Sequence, residues 1–151
     1  MKEFKRASPK PIGQLLIEHG VITREQLDMA LEHQKERKKL IGEVLVELNF
    51  ATEQDIVQAL TSQYGMPYLP LAQYEIDPTV LLLIPESICR QYCLIPIDKI
   101  GKSLTLAMAN PLNARAIEEV ERQTGCLIQT FVSTSTEVLQ AIDKYYKIAK
   151  S

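Results

Sequence analysis

Apolar and polar positions in the first part of the chain follow one pattern twice, with the two copies 29 residues apart. The positions that match in register are Gly13, Leu16, Ile17, Thr23, Leu27, Ala30, Leu31 and Gln34 in the first copy, and Gly42, Leu45, Val46, Thr52, Ile56, Ala59, Leu60 and Gln63 in the second. A period of this length is typical of a duplicated supersecondary unit, and one such unit is too small to bury its apolar face alone. We therefore predict that residues 11–34 and 40–63 are two copies that pack on each other within a helical subdomain, residues 11–65.

Each copy has the pattern of a helical hairpin. A short amphipathic helix begins near Ile12, and Thr23 then caps a second helix, with Gln26 completing a capping box. Thr52 is the equivalent cap in the second copy. The buried stripes predicted from helical spacing are Leu27, Ala30 and Leu31 in the first copy and Ile56, Ala59 and Leu60 in the second.

A glutamine follows each stripe where another apolar residue is expected. Gln34 and Gln63 have two interpretations. As residues of a last helical turn, they would bond free carbonyl groups or water. As a matched pair, they would mark a ligand site shared by both copies, because local two-fold symmetry suits a symmetric ligand or a symmetric groove for a partner. Lys10 and Lys39 stand at equivalent places before the copies, so both cations would lie beside such a groove.

The pattern changes after residue 65 to short strands and helices. The prolines of segment 66–70 predict a linker that runs into a short edge strand near 69–71. The further predictions are helices at 78–82, 86–92, 114–123 and from 135 or 136 to about 148, and strands at 94–100, 103–109 and 127–132. Residues 66–151 thus form an α+β unit with an antiparallel or mixed sheet. The predicted fold class is α+β, with a tandem helical-hairpin repeat packed on a small C-terminal α/β sandwich.

Composition excludes several classes of function. The chain has 151 residues, 46% of them hydrophobic, and a formal net charge of -2, so it has no overall basic field and we expect no DNA or RNA partner. Its longest apolar run, residues 80–84, is too short to span a bilayer, so we expect no direct membrane insertion. Residues 1–10 are predicted to be a flexible basic tail without the apolar core of a signal peptide, which favours a cytoplasmic location.

The cysteines do not indicate a disulfide framework or a metal site. Cys89, Cys93 and Cys126 are an odd number in a chain without an export signal. Cys89 and Cys93 are spaced to share a helix face, but His19 and His33, the only histidines, belong to the other half. We predict that the cysteines are small core residues and that no metal binds.

No catalytic constellation stands out. Gly101-Lys102-Ser103 looks like the end of a phosphate-binding loop, but Pro96 occupies the place of the first glycine and a strand, not a helix, follows. The segment is therefore predicted to be a hairpin turn. No histidine has an evident nucleophile partner, so we expect neither enzymatic activity nor a cofactor.

The motifs together resemble a known family. Each copy opens with Ile-Gly and closes with Ala-Leu-x-x-Gln, and Ile95-Pro96, the segment 104–113, Thr124-Gly125 and Tyr145-Tyr146 follow. Over residues 11–147 the chain resembles the N-terminal domain of type II secretion and type IV pilus assembly ATPases, also called the general secretory pathway protein E N-terminal domain. The resemblance implies a non-catalytic docking and regulatory module, either free-standing or part of a longer protein. Its implied partners are a secretion or pilus ATPase or inner-membrane assembly proteins, which would hold it at the inner membrane.

One branch of that family, the MshEN-like domains, implies a second function. There the repeated motif binds cyclic di-GMP, and each motif begins with Arg-Leu-Gly. Four residues match the motif of that branch: Gly13, Gln34, Gly42 and Gln63. On the hypothesis that the nucleotide binds here, we expect Ile12, Leu16, Ile41 and Leu45 to form an apolar floor and Lys10 and Lys39 to assist. Pro11 and Leu40 stand where the two arginines are expected, and Asn49 replaces the central glycine of the second copy. Because a hydrogen bond to a charged group contributes roughly 1.5 to 3 kcal/mol, losing both arginines should weaken binding from micromolar towards millimolar.

Overall fold

The computed structural model describes residues 11–36 and 39–149. The predicted basic tail lies outside these residues, as does part of the charged linker between the copies. The helices are α1 (Ile12–Glu18), α2 (Arg24–Lys35), α3 (Ile41–Glu47), α4 (Glu53–Tyr64), α5 (Glu86–Tyr92), α6 (Ala114–Thr124) and α7 (Ser135–Ala149). The strands are β1 (Leu94–Ile100), β2 (Ser103–Met108) and β3 (Leu127–Val132), and two 3₁₀ helices span Leu71–Gln73 and Pro78–Leu83. The predicted α+β class is confirmed.

The predicted capping box of the first copy is present, and the predicted cap at Thr52 is part of a second capping box. The Gln26 backbone N–H donates to Thr23 Oγ1 at 3.1 Å, and the Thr23 N–H donates back to the Gln26 side chain at 2.9 Å. Asp55 and Thr52 repeat the arrangement with two bonds of 3.0 Å. Asn49 adopts a left-handed φ of 62° between α3 and α4, a geometry that asparagine tolerates better than most residues. Local sequence signals thus explain where the longer helix of each copy begins.

The two copies pack on each other, as predicted. Helix α1 contacts α3 and α4, and α2 contacts α3. Leu112 and Val132, which belong to the second half of the chain, complete the same apolar cluster. The copies contribute Ile12, Leu15, Leu16, Ile22, Leu27, Ala30, Val44, Leu45, Ala51, Ile56, Val57, Ala59 and Leu60 to it. The cluster therefore continues across the predicted boundary at residue 65, and that boundary stays a prediction.

The predicted stripe of the first copy is wrong at one position. Leu31 is 39% exposed, whereas its equivalent in the second copy, Leu60, is fully buried. Helix α4 packs against β3, and its Val57 is buried there beside Leu60. The equivalent of Val57 in α2 is Asp28, an exposed residue that pairs with Arg24 at 3.5 Å. The repeat is symmetric in sequence, but the surroundings of α2 and α4 differ, because α4 packs against β3.

The sheet is mixed, with strand order β1-β2-β3. Strands β1 and β2 are antiparallel and are joined at Gly101, whose φ of 59° confirms the predicted hairpin turn. Strand β3 runs parallel to β2, and α6 forms the crossover between them. Helix α7 packs against β1, β2, α5 and both 3₁₀ helices. The buried core between the sheet and α7 includes Leu94, Ile95, Leu104, Leu106, Met108, Val138 and Ile142.

The predicted edge strand near residues 69–71 is wrong. Tyr68 forms only an isolated bridge with Val132, and the 3₁₀ helix Leu71–Gln73 follows directly. Prolines at 67 and 70 have no backbone N–H to donate to a strand ladder. The Leu71 N–H donates instead to the Glu137 carboxylate at 3.0 Å. A carboxylate of α7 therefore replaces the partner strand.

The two glycines that open the copies should respond differently to substitution. A Cβ on Gly13 would lie 2.6 Å from Leu27 Cδ1, whereas a Cβ on Gly42 would lie 3.6 Å from Ile56 Cδ1. We expect Gly13→Ala to lower the free energy of unfolding by roughly 1 to 3 kcal/mol, because a buried leucine must move. Gly42→Ala should leave it unchanged or raise it by up to ~1 kcal/mol, because alanine favours helix. Urea denaturation of both variants checks this, and equal changes would contradict it.

Candidate functional site

A cavity of about 160 Å³ lies where the helical repeat meets the sheet half, the name used here for residues 66–149. Its lining comes from α1, the end of α2, the start of α3, α4, the loop between β2 and α6, and the start of α7. The lining residues are Ile12, Gln34, Leu40, Ile41, Gly42, Glu43, Ile56, Ala109, Asn110, Asn113 and Ser135. Apolar side chains form most of the wall, and a few polar groups converge on it, which is the usual composition of a binding pocket.

The cavity brings together four of the ten residues predicted for a ligand site: Ile12, Gln34, Ile41 and Gly42. Lys39 is adjacent, since its carbonyl accepts a 3.0 Å bond from Gln34 Nε2, but its Nζ pairs with Glu47 Oε1 at 3.2 Å. The other predicted residues that the structure describes are not among the lining residues of this cavity. Leu16 and Leu45 are fully buried in the core, Gly13 is buried, Gln63 is exposed, and Lys10 lies outside the described residues.

The two predicted amides have different surroundings. Gln34 is half-buried and lines the cavity, with its side-chain NH₂ bonded to the linker. Gln63 is exposed and is not a lining residue of the same cavity. The equivalence seen in sequence therefore does not extend to the environment of the side chains. Binding of a ligand through both amides stays a prediction.

The sequence analysis missed Glu43, the acidic group of the cavity. Burial raises the pKa of this carboxyl, Lys39 lowers it, and Glu47 raises it further. The equivalent position in the first copy is Gln14, a neutral residue. That difference, next to the matched pair Gly13 and Gly42, is the signal that would have pointed to Glu43.

Two asparagines of the loop between β2 and α6 also line the cavity. Asn110 Oδ1 accepts from the Leu112 N–H, and Asn113 Oδ1 accepts from the Ala116 N–H at the start of α6, both at 3.1 Å. In both bonds the amide oxygen of the side chain is the acceptor, so the NH₂ group of each asparagine is its donor group. The loop therefore contributes two amide side chains to the lining of the cavity.

A carboxylate beside the cavity joins the two halves. Glu53 Oε1 accepts from the Thr136 backbone N–H at 2.7 Å and from its hydroxyl at 2.8 Å. Because Thr136 lies in the first turn of α7, the negative charge also faces the positive end of that helix dipole. Glu53 is near the N-terminus of α4, so this contact fixes the repeat against the sheet half.

The cysteines are core residues, as predicted. Cys89, Cys93 and Cys126 are buried and free, and Cys89 Sγ lies 3.1 Å from Tyr146 Oη. Burial raises the pKa of Cys89 and of Cys93 to about 12. A thiol of this kind is a poor nucleophile because little thiolate forms at neutral pH. Over residues 11–36 and 39–149, no group of three or more His, Cys, Asp or Glu side chains is arranged to hold a metal ion.

The raised pKa of Glu43 predicts a pH-dependent stability difference. Below the ordinary glutamate value of 4.5 the carboxyl is protonated in the folded and unfolded states, and Glu43→Gln should then change little. As the pH rises above that value, the unfolded chain ionises more readily, so the folded wild type loses stability relative to Glu43→Gln. Urea denaturation at about pH 4 and pH 7 measures the difference. The prediction is contradicted if Glu43→Gln exceeds wild type in free energy of unfolding by the same amount at both pH values. Glu32→Gln, on an exposed position of α2, is the control.

The fold and the cavity define an α+β domain in which a duplicated helical hairpin packs against a half that contains a mixed β-sheet. The chain belongs to the MshEN domain family, whose model matches residues 64–151. Among curated proteins, the type IV pilus assembly ATPase PilB of Myxococcus xanthus (strain DK1622) is 30% identical over 135 residues, which cover 89% of this chain and 24% of PilB. The chain thus spans less than a third of the length of that relative.

Solved structures agree with this assignment. A structure of MshE with cdg, cyclic di-GMP, is 27% identical to the chain, with a TM-score of 0.67, and the match covers 91% of this chain and 100% of that one. The N-terminal domain of XpsE shows the same fold at 21% identity, with a TM-score of 0.71 and coverage of 95% and 97%. No described helix is both long and apolar enough to cross a bilayer.

Proposed function

We propose that this chain is a non-catalytic docking and regulatory module that binds protein components of a secretion or pilus machine. The observation that carries the proposal is the similarity of 89% of the chain to one segment of PilB, a pilus assembly ATPase. The module would act in the cytoplasm and reach the inner membrane through its partners. Those partners would be the ATPase itself or assembly proteins in the membrane.

The junction between the halves supports a regulatory role. The cavity is lined by both copies of the repeat and by the loop and helix of the sheet half. A partner group that enters it contacts both halves at once, so its binding energy depends on how they are arranged. A ligand shifts a conformational equilibrium only by its differential affinity for the two arrangements, and a site at the junction provides that difference.

Affinity capture followed by direct binding tests the docking function. The tagged full chain is expressed in its own host and crosslinked, and co-purifying proteins are identified. We expect an ATPase or inner-membrane component of a secretion or pilus machine, which must then bind the purified chain directly. A tagged PilB, which should recover its own machine from the same preparation, is the positive control. The proposal is contradicted if that control works and the chain captures only unrelated proteins or none.

The second proposed function is a cyclic di-GMP sensor. It is favoured by the similarity to MshE, whose structure contains this nucleotide. The residues proposed to bind it are Lys10, Ile12, Gly13, Leu16, Gln34, Lys39, Ile41, Gly42, Leu45 and Gln63. Pro11 is exposed, and Leu40 is half-buried at the cavity. Neither side chain supplies the planar charged fork of an arginine, so we expect affinity near millimolar if binding occurs.

Calorimetric titration with cyclic di-GMP distinguishes the two functions. Binding that is lost in the double variant Gln34→Ala, Gln63→Ala would make the sensor the leading function. A matched control, Gln54→Ala, changes an exposed glutamine of α4 outside the proposed set. The absence of both heat and a thermal shift at high nucleotide concentration would exclude the sensor and leave the docking proposal intact.

A further inference from the structure

The cavity contains a carboxylate, that of Glu43, which forms no ion pair with any residue that the structure describes. Within the described part of the chain, no hydrogen bond or ion pair joins the Glu43 carboxylate to another side chain. Lys39 is the nearby cation, and its Nζ already pairs with Glu47 Oε1 at 3.2 Å. A half-buried charge of this kind is poorly solvated, and pairing with a cation from outside would compensate it.

The walls of the cavity favour one kind of cation. Four aliphatic side chains line it, and no lysine or arginine is among its lining residues, which belong to the described part of the chain. An anionic group such as phosphate would face Glu43 with no opposing charge in that lining. A long basic side chain matches both features, because its methylene stem is apolar and its head is cationic. The aliphatic wall consists of Ile12, Leu40, Ile41 and Ile56.

We propose that the cavity receives an arginine side chain of a partner protein, with its guanidinium paired to the Glu43 carboxylate and its stem against the aliphatic wall. Arginine fits better than lysine, because its planar fork bonds both oxygens of a carboxylate and is more weakly hydrated. The amide oxygen of Gln34 is a further acceptor at the same cavity, since its NH₂ bonds to the Lys39 carbonyl. The inference rests on the docking function and specifies the chemistry of its partner.

A titration monitored by amide chemical shifts tests the pocket directly. The probe is N-acetyl-arginine N-methylamide, and its neutral counterpart is the citrulline derivative of the same shape. We expect saturable shifts centred on Gly42, Glu43, Ala109 and Ser135, with a dissociation constant on the order of millimolar. The citrulline probe should bind at least about tenfold weaker, because it has no charge to pair with the carboxylate.

Two variants complete the test. Glu43→Gln, which keeps the shape of the side chain, should remove the preference for arginine over citrulline. Glu32→Gln makes the same charge change on exposed α2, outside the cavity lining, and should leave the preference unchanged. Equal binding of both probes, shifts centred elsewhere, no saturation at tens of millimolar probe, or an unaltered preference in Glu43→Gln would each overturn the inference.

The captured partner separates this inference from the docking function. A machine component that binds wild type should bind Glu43→Gln at least about tenfold more weakly. Equal binding to both proteins would reject the arginine pocket and leave docking supported. If wild type captures no such component, the docking function itself fails. Thermal unfolding of Glu43→Gln confirms that any loss does not come from misfolding.

Discussion

Replacing Leu60 with alanine is expected to lower the free energy of unfolding by about 2 to 5 kcal/mol, the range for a large-to-small change in a core. Leu60 is fully buried in a cluster that also contains Val132 of β3. Truncation therefore leaves a cavity within that cluster. Urea denaturation measures the loss, with wild type and variant fitted to the same dependence of unfolding free energy on urea concentration.

Leu31→Ala is the matched control, because Leu31 occupies the position of Leu60 in the other copy. Its side chain is 39% exposed, so truncation should cost less than about 1 kcal/mol. The difference between the two losses of unfolding free energy shows how unequally the matched positions of the two copies contribute to stability. Equal losses would show that the stripe of α2 is covered in solution, as the sequence pattern alone predicts.

Local signals in the sequence were sufficient for most of the secondary structure. The capping boxes at Thr23 and Thr52 and the hairpin turn at Gly101 depend on residues only a few positions apart. The predicted bounds of β3 agree with the observed ones, because turn residues flank its apolar and β-branched residues on both sides. Such features are fixed by short-range sterics and hydrogen bonds, which the sequence states directly.

Features that depend on tertiary contacts were missed. Leu31 has the sequence context of a buried residue, and only the packing of α4 rather than α2 against β3 explains its exposure. The bridge at Tyr68 ends after one residue because Leu71 bonds to Glu137, which lies 66 positions further along the chain. No window of local sequence contains both partners of these contacts.

The two copies have different surroundings, and this difference limits what the duplicated motif predicts about ligands. A two-fold symmetric ligand would require both copies to present equivalent groups. Gln34 and Gln63 differ in burial, and Glu43 has only Gln14 as its counterpart. The sheet half adds Asn110 and further groups on one side alone. The cavity therefore has the character of a one-sided pocket, which suits a single side chain of a partner better than a symmetric molecule.

Removing the Glu137 carboxylate is the second large effect that we expect. Its oxygens accept from the Leu71 N–H at 3.0 Å, the Thr134 N–H at 3.1 Å and the Tyr68 hydroxyl at 2.8 Å. Glu137→Ala would keep the bond from its backbone N–H to Thr134 Oγ1, but it would lose the reciprocal bond of this capping box and leave the N–H of buried Leu71 without its partner. The expected loss of unfolding free energy is about 2 to 4 kcal/mol, as the sum of the lost half of the capping box and an unsatisfied buried donor. Urea denaturation measures this loss.

Tyr68→Phe separates the three bonds, because it removes only the hydroxyl. Burial, and then the hydrogen bond to Glu137, raise the pKa of Tyr68 to about 12, so the hydroxyl remains a donor at neutral pH. Tyr68 is 41% exposed, and water can replace its partner. We therefore expect Tyr68→Phe to cost less than about 1 kcal/mol. If it costs as much as Glu137→Ala, the two backbone bonds contribute little, and the linker is held to α7 mainly by the tyrosine.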